Sequence, residues 1–163
     1  MSSYPAQTTD HTRAKSQSPT SLGIAVCCLA IIAALVLGVG LTSNLVLRHL
    51  VQTLPLWVAV TLGFRASRAT SWVSLPLFLF WLVLMGIIWA YLLGISHLVS
   101  GTFSSIEIAM TILVGAACLI GIVSCFRFTP LLSPLRKGSF FALMAVVQLL
   151  CFRFSFLAAI ARR

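Results

Sequence analysis

Hydrophobic residues fall into four long runs between Leu22 and Phe126, and the charged residues are nearly all confined to the breaks between those runs. An apolar run of about 18 residues or more is long enough to cross the hydrocarbon core of a bilayer as a helix. The pattern predicts helices over residues 21–42, 45–64, 71–97 and 106–126. Ahead of them lies a polar stretch, 1–20, with two prolines and no helical or strand period. Such a stretch buries too little surface to offset ordering and is expected to be disordered. Arg13 and Lys15 precede the first run as they would in a signal peptide. That run is longer than an h-region of roughly 7–15 residues, and Gly38-Val39-Gly40 is a poor cleavage site, so the expectation is a retained anchor.

Small residues recur at helical spacing. Ala30, Ala34 and Gly38 line one face of the first helix, and Gly86, Ala90 and Gly94 line one face of the third. Strips of this kind let helix backbones approach closely in lipid, so both faces are expected to pack against other helices. The third predicted helix is the longest, and 27 residues at about 1.5 Å each exceed a core of roughly 30 Å, which implies tilt or protrusion. Its Trp72, Trp81, Trp89 and Tyr91 include residues suited to the membrane interface. Ser104 or Ser105 is placed to cap the fourth helix, with Glu107 in the first turn, where the helix dipole favours a carboxylate.

A basic, Pro-containing linker, 127–138, leads to a fifth apolar run, 139–161, within a C-terminal segment that ends at Arg163. Gln148 and Arg153 lie near the middle of the run. A central arginine costs roughly 2.5–3.5 kcal/mol, and each Leu, Ile, Phe or Val returns only about 0.3–0.6 kcal/mol. Spanning and interfacial placements are therefore nearly balanced. The expected fold class is all-α, a multi-pass integral membrane helical bundle of four transmembrane helices plus a marginal fifth.

Composition agrees with the pattern. The chain has 163 residues, 60% hydrophobic and 8% charged, against roughly 25% charged in soluble domains. Five helices with short loops leave no room for a separate catalytic domain. The net charge of +9 would point to nucleic acid in a soluble protein, but no basic patch is interleaved with aromatics, and basic residues also gather in cytoplasmic loops. A cytoplasmic N-terminus puts Arg13, Lys15, Arg65, Arg68, Arg127, Arg136 and Lys137 on that side and Arg48 toward the other. An interfacial fifth helix would add Arg153, Arg162 and Arg163 to the cytoplasmic set, which favours that placement. Arg65, Arg68, Arg136 and Lys137 are then positioned to meet anionic lipid headgroups.

The same topology gathers Arg48, His49, Gln52, His97 and Glu107 at the non-cytoplasmic face. Ionisable residues at such depth are costly and call for a functional reading. The simplest is a Glu107–Arg48 ion pair with both histidines at headgroup level. Sharper alternatives are a metal site of His49, His97 and Glu107, haem held by the two histidines, or a proton-coupled or anion site at His49 and Arg48. No phosphate-binding Gly-rich loop, GxSxG or HExxH is present, and the chain has only two acids, Asp10 and Glu107. Cys27, Cys28, Cys118, Cys125 and Cys151 lie within or at the ends of apolar runs and read as small buried hydrophobes, with lipidation of Cys27 and Cys28 as the alternative. The expected function is a structural or accessory subunit of a membrane complex, without catalysis or cofactor. Its expected partners are the bilayer, anionic lipids, and other subunits or a second copy. The competing reading is a small transporter or a metal- or haem-binding component.

Overall fold

The computed structural model describes residues 19–95, 103–127 and 132–157. The 1–20 tail, apart from its last two residues, lies outside them, as do His97, Arg162 and Arg163. Five helices are present among the described residues, each long and apolar enough to cross a membrane: α1 (Pro19–Ala33, continued by a π-helical segment, Ala34–Gly40), α2 (Val46–Phe64), α3 (Thr70–Leu92), α4 (Ser105–Arg127) and α5 (Pro134–Phe154).

Backbone chemistry sets the boundaries. Three helices end on a residue in the left-handed region, Asn44 (φ 54°), Ala66 (φ 48°) and Gly94 (φ 73°). In each case the next amide reaches back five residues: Leu45 N to Gly40 O (2.9 Å), Ser67 N to Leu62 O (3.0 Å) and Ile95 N to Ala90 O (2.9 Å). This closure satisfies carbonyls that the helix end would leave bare. Gly94 stops α3 at Leu92, five residues before the end expected, which shortens the helix to 23 residues and leaves only a slight excess over a core of roughly 30 Å. Ser133 is the N-cap of α5 and Pro134 its first residue, so the helix begins five residues before the apolar run and takes in Arg136 and Lys137. Proline suits that position because its missing amide would have no partner there anyway.

The helices form a closed ring in the order α1, α2, α5, α3, α4, back to α1. Although α2 and α3 are joined by a short turn, α5 wedges between them and they share little contact. Glycines set two of the closest approaches. A Cβ on Gly63 would sit 2.8 Å from the Ala25 Cβ and 3.0 Å from the Ser21 carbonyl, and one on Gly121 would sit 2.6 Å from the Phe78 ring. Gly38 meets Met110 of α4 in the same way and Ala34 is buried, so the α1 strip packs within the chain. Gly86 faces open space and Gly94 ends its helix, so of the α3 strip only Gly86 and the half-buried Ala90 remain as an outer face.

The fifth helix does not lie across one end of the bundle. Lys137 sits over the Trp72 ring (5.3 Å) at the start of α3, and Arg48, in the first turn of α2, lies over Phe156 (4.0 Å) just beyond the other end of α5. These contacts sit at opposite ends of the bundle, so α5 runs its whole length. The two residues that made the run doubtful are both accommodated. Gln148 is fully buried and donates to the Gln52 carbonyl (3.2 Å), while Arg153 is exposed in the last turn, where a long side chain reaches water. The helix thus stands alongside α2 and α3, the arginine is not central in it, and the glutamine is turned to the bundle interior.

Large apolar side chains, among them Leu37, Leu54, Trp57, Val83, Ile120, Val123, Leu143 and Leu149, point outward from all five helices, as they would against lipid. Trp81 is a correction to the interfacial assignment, because it lies mid-helix and is 1% exposed.

The α1–α2 contact makes a prediction of opposite sign at two nearby positions. Gly63→Ala should destabilise by about 1–3 kcal/mol through overpacking against Ala25. Ala66→Gly should stabilise by up to about 1 kcal/mol by relieving a left-handed alanine. Unfolding in mixed micelles followed by circular dichroism measures both.

Candidate polar cavity at one end of the bundle

At the end of the bundle where α2 and α4 begin, the ring of helices parts around a partly open cavity of about 670 Å³ to which all five contribute. The π-helical segment of α1 supplies Leu35 and Val39. It ends where Thr42 Oγ1 donates to the Gly38 and Val39 carbonyls (2.8 and 2.9 Å) and Ser43 Oγ donates to the Val39 carbonyl (2.7 Å). A Cβ on Gly40 would come within 3.2 Å of both the Leu35 carbonyl and the Val46 Cα, so a larger residue at the turn into α2 would press on backbone on both sides. The GVG sequence was legible as small, but its role in a widened helix was not. Short π segments of this kind recur at functional sites.

Arg48, His49 and Gln52 enter the cavity from the first two turns of α2, and Glu107 and Thr111 from the start of α4. Four of the five residues expected at this face are therefore together, and the fifth, His97, lies outside the described residues. The expected Glu107–Arg48 ion pair does not form. Glu107 Oε2 instead accepts from the Ser104 backbone N–H (2.8 Å) and Oγ (3.0 Å), and Ser104 Oγ accepts from the Glu107 N–H (3.2 Å). This is a reciprocal cap for α4. It resolves the choice between the two serines in favour of Ser104 and compensates the carboxylate locally. The Arg48 guanidinium turns to the Phe156 ring, and its Nε has no hydrogen-bond partner.

Two further polar nitrogens at the cavity are buried without a partner, His49 Nδ1 and Trp81 Nε1. The rest of the lining is apolar or aromatic, from Leu84, Met85 and Ile88 on α3, Met110 and Val114 on α4, and Phe103. One wall is an aromatic ladder. Trp81 meets Phe80 edge-on (5.5 Å), Phe80 meets Phe152 (5.2 Å) and Phe152 meets Phe156 (5.1 Å), on which Arg48 rests. Beside the ladder, Gln52 Nε2 donates to Ser155 Oγ (2.9 Å), which donates to the Phe152 carbonyl (2.6 Å). Sequence reasoning did not find Trp81, Phe152, Phe156 or Ser155: the last three share one face at i, i+3 and i+4 spacing, but only the fold brings that face to Trp81 and α2.

Among the described residues no three His, Cys, Asp or Glu side chains come together to hold a metal. The set His49, His97 and Glu107 is incomplete there because His97 lies outside it. Cys27 and Cys28 are buried against the bundle interior, which removes them as lipidation sites, and Cys118 and Cys125 are buried as well. The basic residues Arg65, Arg68, Arg127, Arg136 and Lys137 gather at the opposite end from the cavity, around the start of α3 and α5 and the end of α4.

The fold and cavity define a class: an all-α bundle of five helices, each long and apolar enough to cross a membrane, around an apolar pocket with a polar end. No protein-family model, curated protein or solved structure matches the chain.

Because Glu107 is held by Ser104 and not by Arg48, Arg48→Met and Glu107→Gln should change stability additively, within about 0.5 kcal/mol in a double-mutant cycle. Ser104→Ala alone should cost about 1 kcal/mol. A coupling well above that figure between positions 48 and 107 would restore the ion pair.

Proposed function

We propose that this chain is a non-catalytic, ligand-holding component of a membrane, whose cavity at the start of α2 and α4 retains a small molecule for a larger membrane system. The observation that carries this reading is the cavity itself, about 670 Å³ with three buried nitrogens, on Arg48, His49 and Trp81, that the protein leaves without partners. Leaving buried polar groups unpaired costs roughly 1–3 kcal/mol each, a cost that a ligand or ordered water at the site removes. The volume falls within the usual range of about 300–1,000 Å³ for small-molecule sites.

Catalysis has little support in these residues. The carboxylate at the site is engaged in capping α4, and four of the five cysteines are buried, leaving Cys151 half-buried on α5. The accessory role rests on the outer face at Gly86 and Ala90, which is open for a neighbouring helix. The charge distribution supports a cytoplasmic N-terminus. With α5 running the length of the bundle, Arg153 joins Arg48 at the far end, and the near end still holds Arg65, Arg68, Arg127, Arg136 and Lys137. An excess of basic residues marks the cytoplasmic side.

Native mass spectrometry of the protein purified in a mild detergent should show a small molecule bound near one-to-one, and Leu84→Trp, which narrows the cavity, should reduce its occupancy severalfold. Protein that carries nothing, with the variant indistinguishable, contradicts the reading. Stoichiometric metal or a Soret band lost in His49→Ala would instead identify a metal or haem carrier. For orientation, single cysteines at Arg68 and Arg153 in a chain otherwise free of cysteine should react with a membrane-impermeant maleimide from opposite sides. Position 153 should be the one labelled in intact cells.

A further inference from the structure

The unpartnered groups at the cavity specify the chemistry of what fits it. The Arg48 Nε and Trp81 Nε1 atoms each carry a hydrogen and can only donate, so the missing partners are acceptors. Trp81 is 1% exposed and lines the cavity, so water outside the bundle does not serve it. Among the described residues of the lining the charged side chains are Arg48 and Glu107, one of each sign. Glu107 already accepts two hydrogen bonds from Ser104 at the N-terminal turn of α4, which leaves Arg48 as the charge without a partner among the described residues. The Arg48 guanidinium has the Phe156 ring beneath it and, among the described residues, no ion-pair partner. Beyond this polar end the lining is hydrocarbon and aromatic, so the remainder of the ligand must be apolar.

We propose that the cavity binds an acidic amphiphile, a single hydrocarbon chain bearing a carboxylate or phosphate, with the anionic head at Arg48 and His49 and the chain along Leu84, Met85, Met110 and Val114. This rests on the ligand-holding reading above and adds the ligand's class. A guanidinium is suited to either head because its planar donors match carboxylate and phosphate oxygens. Phe152 and Phe156 also line a shallow hollow on the outer side of α5, together with Leu149, Leu150 and Arg153. The wall between the cavity and the outer hollow is thus a single layer formed by these two aromatic side chains, with a second arginine on the outside. A chain delivered from the membrane enters past Phe152 and Phe156.

The test uses full-length protein in a maltoside detergent with Trp57, Trp72 and Trp89 changed to Phe, so that Trp81 is the sole tryptophan and is excited selectively above the tyrosine absorption. Oleate and dodecyl phosphate are expected to change Trp81 emission saturably, oleyl alcohol to bind at least tenfold more weakly, and inorganic phosphate to have no effect. Arg48→Met should weaken oleate binding tenfold or more and leave oleyl alcohol unchanged, and Arg48→Lys should recover part of the loss, which separates head recognition from misfolding. If oleyl alcohol binds as tightly as oleate, the acidic head is wrong although the cavity still holds a ligand. If inorganic phosphate competes, the site takes a free anion and the amphiphile is wrong. If no probe gives a saturable change while the helical circular dichroism is intact, both this inference and the ligand-holding reading fail.

Discussion

The fastening of the fifth helix is the interaction on which the rest of the bundle depends. Of the residues of α5 only Met144 and Gln148 are buried, so the helix has little apolar packing to hold it. Lipid is as apolar as leucine, and association of helices within it relies on close packing and on hydrogen bonds between them. Gln148 to the Gln52 carbonyl and Gln52 to Ser155 supply those bonds, and both reach the same turn of α2. A glutamine that sequence alone counts as a cost of insertion is therefore the reason α5 stands in the ring. With α5 in place, Phe152 and Phe156 close the side of the cavity, and Phe156 supports Arg48. Without it, α2 and α3 would have an open gap between them and the polar end of the pocket would face lipid directly.

The two ends of the bundle divide the work. At the end carrying Arg65, Arg68, Arg127 and Lys137, helices approach on glycine and small residues, with Gly63 against Ala25 and Ser21, and the cysteines fill space as small hydrophobes. At the other end α1 loosens into a π-helix and the helices part around a space. Buried polar atoms without partners occur at both ends, on Ser71, Trp72 and Ser74 at the packed end and on Arg48, His49 and Trp81 at the other, but the latter three line a space that a ligand can fill.

Much of the architecture was legible because its causes are local. The apolar runs marked α2 and α4 to within a residue, and the cap at the start of α4 was narrowed to Ser104 or Ser105 with Glu107 in the first turn. The extent of α3 was missed because a single backbone conformation at Gly94 ended it while the apolar pattern ran on. The start of α5 was missed because Ser133 and Pro134 begin a helix through capping chemistry, ahead of the apolar run. At the cavity, topology and charge brought Arg48, His49, Gln52 and Glu107 together from two helices that are not consecutive. The pairing within that group was not legible. Opposite charge favours Arg48 with Glu107, but a serine three residues away competes for the carboxylate through the helix terminus and wins. The aromatic ladder of Trp81, Phe80, Phe152 and Phe156 was invisible for a different reason: it requires α5 to sit beside α3, and that neighbour relation follows from the ring order, which no local pattern encodes.

The central claim is that α5 runs beside α2 to the cavity end and closes the pocket there. Cysteines at Gln52 and Ser155, whose side chains touch at 2.9 Å, test it in the native membrane in a chain otherwise free of cysteine. A short bifunctional thiol reagent should join them within one chain in high yield, and a control pair at Gln52 and Ser139, at opposite ends of the bundle, should stay unjoined. Failure of positions 52 and 155 to join, with both thiols reactive singly, would contradict the account.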